Sequence, residues 1–160
     1  MKTSISILLL SALILFIVAC GGNNPDANQG GTTNDAATTA NGNPSYDPDR
    51  GTGKFTEVEV GAALDAAKAD GGEKIFSVKC SACHKLTAEK LVGPGWSGVT
   101  SRHKAPWIMN FITNTDEMLN KDPKAQAQLE ICLVRMPNQS LSDVDARNLL
   151  EFMRKNDGVK

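Results

Sequence analysis

The run Cys80-Ser81-Ala82-Cys83-His84 constrains this chain more than any other feature. A C-x-x-C-H sequence reads as an attachment site for a covalent haem. Residues three apart on a helix share a face, so both thiols can meet the two vinyl groups on one porphyrin edge. The histidine directly after the second thiol is then placed beneath the iron as its proximal ligand. Three other readings compete. A zinc site usually pairs two such knuckles, and only His103 or Cys132 could complete one here. A thioredoxin-like pair needs a βαβ context, whereas the flanks look helical. The third is chance, because only three positions are fixed.

The first nineteen residues favour the haem reading, since they point to export. Lys2 supplies a positive start, and Ile5 to Val18 is apolar except for Ser6 and Ser11. The run is shorter than the roughly 20 residues a membrane span needs and ends at Ala19-Cys20-Gly21-Gly22, as a cleaved signal does. Ile17-Val18-Ala19-Cys20 resembles a bacterial lipobox, which implies acylation of Cys20 as the new N-terminus. An uncleaved anchor helix is the alternative. Both tether the chain to a membrane and place it on the periplasmic side.

Residues 23 to 49 are almost wholly small or polar and cannot bury enough apolar surface to offset their ordering entropy. They are expected to form a disordered tether spanning about 30 Å. The expected organisation is a signal at 1–19, a lipidated N-terminus and linker at 20–52, and a folded domain at 53–160. The chain has 17 basic and 18 acidic residues. Lys2 lies in the signal and Asp26, Asp35, Asp47 and Asp49 lie in the tether, so the residues after Asp49 keep 16 basic and 14 acidic side chains. That near balance excludes a nucleic-acid binder, which carries a strongly basic face.

The domain reads as all-α. Asp65 caps a helix that runs through Ala66 to about Ser81. Pro106 opens a helix bearing Trp107, Ile108, Phe111 and Ile112. Asp122-Pro123 opens another through Leu129, Ile131, Cys132 and Leu133. Ser142 and Asp145 form a capping box, followed by a stripe of Ala146, Leu149, Leu150 and Met153 at i, i+3, i+4, i+7. No sheet is evident, and Phe55 to Val60 reads as one short extended piece.

Over residues 65 to 156 the chain resembles the class I monohaem cytochromes c. The likeness rests on Gly72-x-x-x-Phe76, Cys80-x-x-Cys83-His84, Gly93-Pro94, the pair Met136-Pro137, and a last helix bearing Leu149 and Phe152. It implies a small fold in which the first and last helices cross beside one covalent haem c, with Gly72 and Phe76 meeting Leu149 and Phe152. It also implies that the Pro94 carbonyl accepts a hydrogen bond from the His84 ring, fixing its orientation.

The same resemblance makes Met136 the second axial ligand. Its proline forbids helix continuation and favours an extended strap. Met109 and Met153 read as helical core residues, and Met118 as part of a turn. His103, between Arg102 and Lys104, reads as part of a solvated loop and is the other candidate ligand. Arg102, Trp96 and Trp107 are candidate donors to the haem propionates, with core packing the alternative for both tryptophans and the preferred reading of Trp107. Cys132 reads as a small buried hydrophobe, with an intermolecular disulfide or a redox role as alternatives.

With both axial positions filled, the chemistry is Fe(III)/Fe(II) cycling, and the chain is expected to be an electron carrier and not an enzyme. Its expected partners are a quinol-linked donor and a terminal reductase or oxidase, with Lys85, Lys90 and Lys104 as steering charges. A peroxidase-like enzyme and a gas or redox sensor are the alternatives. Lys85-Leu86-Thr87, Val92-Gly93-Pro94-Gly95-Trp96 and Arg135-Met136-Pro137-Asn138 also resemble lipoprotein cytochromes associated with nitrous-oxide reductase, which implies that reductase as the acceptor.

Overall fold

The structure is a computed structural model that describes residues 45–160. The expected signal at 1–19, Cys20 and the tether as far as residue 44 lie outside the described residues. Six helices follow in order: α1 (Ala66–Lys79), α2 (Val99–Arg102), α3 (Ala105–Thr113), α4 (Thr115–Lys121), α5 (Pro123–Cys132) and α6 (Asp143–Asn156). No strand is present among the described residues, only an isolated bridge between His84 and Lys90. The all-α expectation holds.

Local chemistry starts three of these helices. The Asp65 carboxylate accepts from the Lys68 backbone N–H at 3.1 Å, and Asp122 accepts from that of Ala125 at 2.9 Å. At α6 both halves of the capping box form, with Asp145 N–H donating to Ser142 Oγ at 3.1 Å. Each cap satisfies a backbone donor that the first turn leaves unpaired. α5 stops at Cys132 because Leu133 takes a left-handed conformation (φ 61°) as its C-cap, one residue before the expected end.

α1 and α6 form the largest helix pair. A Cβ on Gly72 would lie 2.2 Å from Asn148 O and 2.7 Å from Phe152 Cβ, so only glycine permits this approach. Beside it the Phe76 and Phe152 rings sit 5.5 Å apart, and Phe76 meets Trp96 edge-on at 4.7 Å. Leu149, Leu150 and Phe152 are each at most 4% exposed. Burial of such side chains contributes about 1.5–3 kcal/mol apiece, which makes this crossing the core of the fold.

Phe55 to Val60, expected as one short extended piece outside any sheet, joins no strand; Asn110 takes the place of a partner strand, accepting from Phe55 N at 2.9 Å and donating to Phe55 O at 2.8 Å. Two expectations are corrected. Met118 lies in α4, a helix its polar sequence did not announce, and is fully buried with Sδ accepting from Thr52 N at 3.0 Å. Residues 46–52, expected to be linker, pack on the domain. Tyr46 donates to Asp122 at 2.8 Å, Asn110 donates to Arg50 O at 3.0 Å, and Gly51 (φ 66°) lies against Met118. Buried Asn110 and Asp122 need polar partners, and this segment provides them.

Candidate haem site

The cysteine motif follows α1 directly. Cys80 is the C-cap of α1, and the N–H groups of Cys83 and His84 both bond to Cys80 O, at 3.0 and 2.9 Å. The motif is thus a tight turn continuing the helix, not part of the helix itself. Cys80 is 5% exposed, and burial pushes its thiol up to about 11. Cys83 is half-buried, and no disulfide joins the two.

The loop after the motif folds back over it. Val92 N and Gly93 N donate to Cys83 O at 3.2 and 2.9 Å, which brings Pro94 against the imidazole. His84 Nδ1 lies 2.9 Å from Pro94 O; a carbonyl only accepts, so Nδ1 carries the proton and Nε2 keeps its lone pair. Burial lowers the pKa of His84, partly opposed by the Pro94 bond. A neutral ring with a free Nε2 is what an iron ligand requires. Gly93 completes the seat: a Cβ there would stand 2.3 Å from His84 Cε1.

His84 and Met136 line one cavity of about 330 Å³. Its other walls are mainly apolar, including Val99, Ile108, Phe111, Ile112 and Met153. A second hollow of about 50 Å³ also has both His84 and Met136 on its walls. Met136 is half-buried in the strap between α5 and α6. Lys79 Nζ bonds Gln139 O at 3.0 Å, and Arg135 bonds Asn120 Oδ1 at 3.1 Å, so the strap is held on both sides of Met136. Met109 and Met118 are core residues and do not line either space, while Met153 packs as a wall.

Several expected roles change. His103 is not in a solvated loop. Its ring stacks on Trp107 at 4.0 Å, its Nε2 lies 3.0 Å from Gln128 Nε2, and it lines the main cavity. Burial, reinforced by Lys124 and Arg102 and opposed by Asp122, holds its pKa at about 4, so it is neutral at pH 7. Trp107 spends its one N–H on Asp122 Oδ1 at 3.1 Å and has none left for a propionate. Arg102 and Trp96 line the cavity, with Arg102 held by Gly95 O at 3.0 Å and by Ser97 O. Cys132 is half-buried on the wall of the smaller hollow between exposed Ile131 and Leu133. Among the described residues no group of three or more His, Cys, Asp or Glu converges as a metal cluster, so the zinc reading has no site.

Gln128 is a wall residue of both spaces that the sequence reading overlooked. Its available signal was the four-residue spacing to Cys132, which puts both on one face of α5.

The residues present fit a haem. The imidazole is oriented with its ligating nitrogen free, a glycine leaves room for it, and a methionine shares an apolar cavity with it. Cys80 and Cys83 precede that imidazole in the attachment order, although neither lines the cavity.

Comparison with known proteins agrees. Residues 69–157 match the family described as Cytochrome c. Cytochrome c from Rhodothermus marinus is 33% identical, with 66% of this chain and 90% of that chain covered and a TM-score of 0.63. An engineered form of that cytochrome is 32% identical over 69% of this chain and 98% of its own, at 0.66. The engineered protein bound to a carbene intermediate is also 32% identical, with the same coverage, at 0.63. No curated protein matches the chain.

Proposed function

Because the chain belongs to the cytochrome c family and is therefore a haem-based electron carrier, we propose that it holds a single covalent haem c between His84 and Met136. The observation that carries this reading is that both side chains line one apolar cavity while Pro94 fixes the imidazole. The bound haem supplies Fe(III)/Fe(II) cycling. The protein supplies the rest. Cys80 and Cys83 would form the thioether bonds, and Pro94 O holds the proton on Nδ1, which leaves Nε2 free for a metal. Met136 would supply the second ligand, and the apolar walls would exclude water and favour the less charged reduced state.

The same proposal assigns the chain to the class I monohaem lipoprotein cytochromes. Residues 1–19 are its export signal, Cys20 its acylated anchor, and the tract before residue 45 its tether on the periplasmic side of a bacterial membrane. It takes electrons from a quinol-linked donor and passes them to a terminal reductase or oxidase. The segments around Val92 and Met136 that resemble the lipoprotein type support nitrous-oxide reductase as that acceptor. Near-balanced charge supports protein partners and not nucleic acid.

A second reading, a peroxidase-like enzyme or a haem-based sensor, draws on the engineered relative that holds a carbene intermediate. It requires an accessible sixth position. Carbon monoxide added to the reduced protein at neutral pH separates the two. The carrier reading predicts slow or negligible binding, and rapid stoichiometric binding overturns it. Absence of covalent haem after expression with a working maturation system overturns both. Replacing Cys20 by Ala tests the anchor: the protein should leave the membrane fraction, and retention there refutes acylation at that site.

A further inference from the structure

The smaller hollow has a polar group that the electron-carrier reading does not use. His84 and Met136 both reach it, and its other side chains are Phe111, Leu119, Leu129 and Val134, with Cys132 and Gln128. Gln128 alone among these side chains, His84 apart, carries strong N–H donors. It also lines the main cavity, so Gln128 and Met136 share both spaces. α5 leads straight into the strap, which places Gln128 and Met136 on consecutive segments.

Gln128 is held in one orientation. Its Nε2 lies 3.0 Å from His103 Nε2. The amide nitrogen only donates, so the facing imidazole nitrogen must be unprotonated and accept. His103 stays neutral because it is stacked on Trp107 and shielded, with Lys124 on α5 and Arg102, the last residue of α2 just before it, opposing a charge and the Asp122 carboxylate too weak to reverse this. The carboxamide has two N–H groups. One goes to His103. The second has no partner among the described residues, and it belongs to a side chain that lines both spaces with His84 and Met136.

We propose that Gln128, positioned by His103, is the hydrogen-bond donor to whatever occupies the iron position opposite His84. Once haem is bound and Met136 ligates it, the acceptor becomes the thioether sulfur, a weak one. When Met136 is displaced, the site selects small anions that bind iron and accept a hydrogen bond, because such bonds are strongest to ionised acceptors. Azide is the probe of that class, and carbon monoxide is the contrast, since it is neutral and a poor acceptor. The proposal rests on the haem reading above.

The experiment uses holoprotein with Met136→Ala, in which the outer position is open. Adding Gln128→Leu should weaken ferric azide binding roughly tenfold and leave ferrous carbon monoxide affinity within about twofold. His103→Phe keeps the stack on Trp107 but removes the acceptor, and should produce a smaller loss for azide alone. Equal losses for both probes would mean a packing defect and overturn the proposal, as would unchanged azide affinity. A second measurement keeps Met136 intact. A hydrogen bond to sulfur withdraws electron density from iron and favours Fe(II), so Gln128→Leu should lower the midpoint potential; an unchanged potential overturns the proposal. Failure of Met136→Ala itself to bind azide would overturn the Met136 assignment, and the Gln128 role with it, which distinguishes the two readings.

Discussion

Pro94 O lies 2.9 Å from Nδ1 of His84, and Gly93, the residue before that proline, faces the same ring so closely that it has no room for a Cβ. One loop thus fixes the proton, the plane and the packing of the imidazole together.

That relationship predicts a selective defect. Gly93→Ala would put its methyl 2.3 Å from His84 Cε1, so either the ring or the loop must move. Moving the ring weakens the Pro94 bond and the metal bond it orients. Losing the partner that orients a ligating histidine costs about 10–100-fold in metal affinity or activity. Covalent attachment keeps the haem in place, so the change should appear as altered axial-ligand bands and a lowered fraction of six-coordinate iron. An unaltered visible spectrum would refute it.

Met136→Ala should open the outer position, permit carbon monoxide to bind the reduced protein, and lower the potential, because a thioether favours Fe(II). Met118→Leu is the control. Met118 is fully buried with its sulfur on Thr52 N, so its loss should reduce stability by about 1 kcal/mol and leave the spectrum alone. A spectral change in the control and none in Met136→Ala would reverse the assignment.

Gly72→Ala tests the helix crossing. Backbone faces the new methyl at 2.2 Å, and backbone yields less readily than a side chain. A loss at the upper end of the usual 1–3 kcal/mol for overpacking is expected, read as a lowered denaturant midpoint. The neighbouring Gly71→Ala meets only the Asn148 side chain at 3.0 Å and should be nearly neutral.

His103 gives the stability a pH dependence. In the unfolded chain it binds a proton near the ordinary imidazole value of about 6.5, and in the fold only near 4. The native state therefore holds fewer protons between those values, and stability rises with pH across that window. The contribution is complete above about 6.5 and is lost as pH falls toward about 4. Urea midpoints of the native protein and of His103→Phe, measured from pH 4 to 7, should diverge in slope. Parallel curves would refute the neutral, buried ring.

Removing residues 1–52 should cost stability that removing residues 1–44 does not. The longer deletion takes away Tyr46, which donates to the fully buried Asp122, and the Arg50 and Thr52 backbone groups that meet Asn110 and Met118. A buried acceptor left unpaired costs about 1–3 kcal/mol. Equal thermal midpoints for the two truncated proteins would show that this segment contributes nothing.

What could be read from the chain without its fold was local. Asp65, Asp122 and the Ser142–Asp145 pair announce helix starts because a cap bonds within three residues of itself. Cys80, Cys83 and His84 announce a haem because their chemistry depends on short spacing. The close approach at Gly72 came from family likeness, and the structure shows its cause.

The tertiary structure decided the contacts between residues far apart. His103 sits between two charged neighbours and reads as solvated, yet α3 and α5 bring Trp107 and Gln128 around it. Trp107 reads as a core residue, but only the fold shows that Asp122, fifteen positions away, takes its N–H. Residues 46–52 carry too little apolar surface to order themselves, and they order because Asn110 and Asp122 are buried with polar atoms to satisfy. Burial is a property of the packed whole, and it turns a polar side chain into a demand for a partner that no stretch of sequence displays.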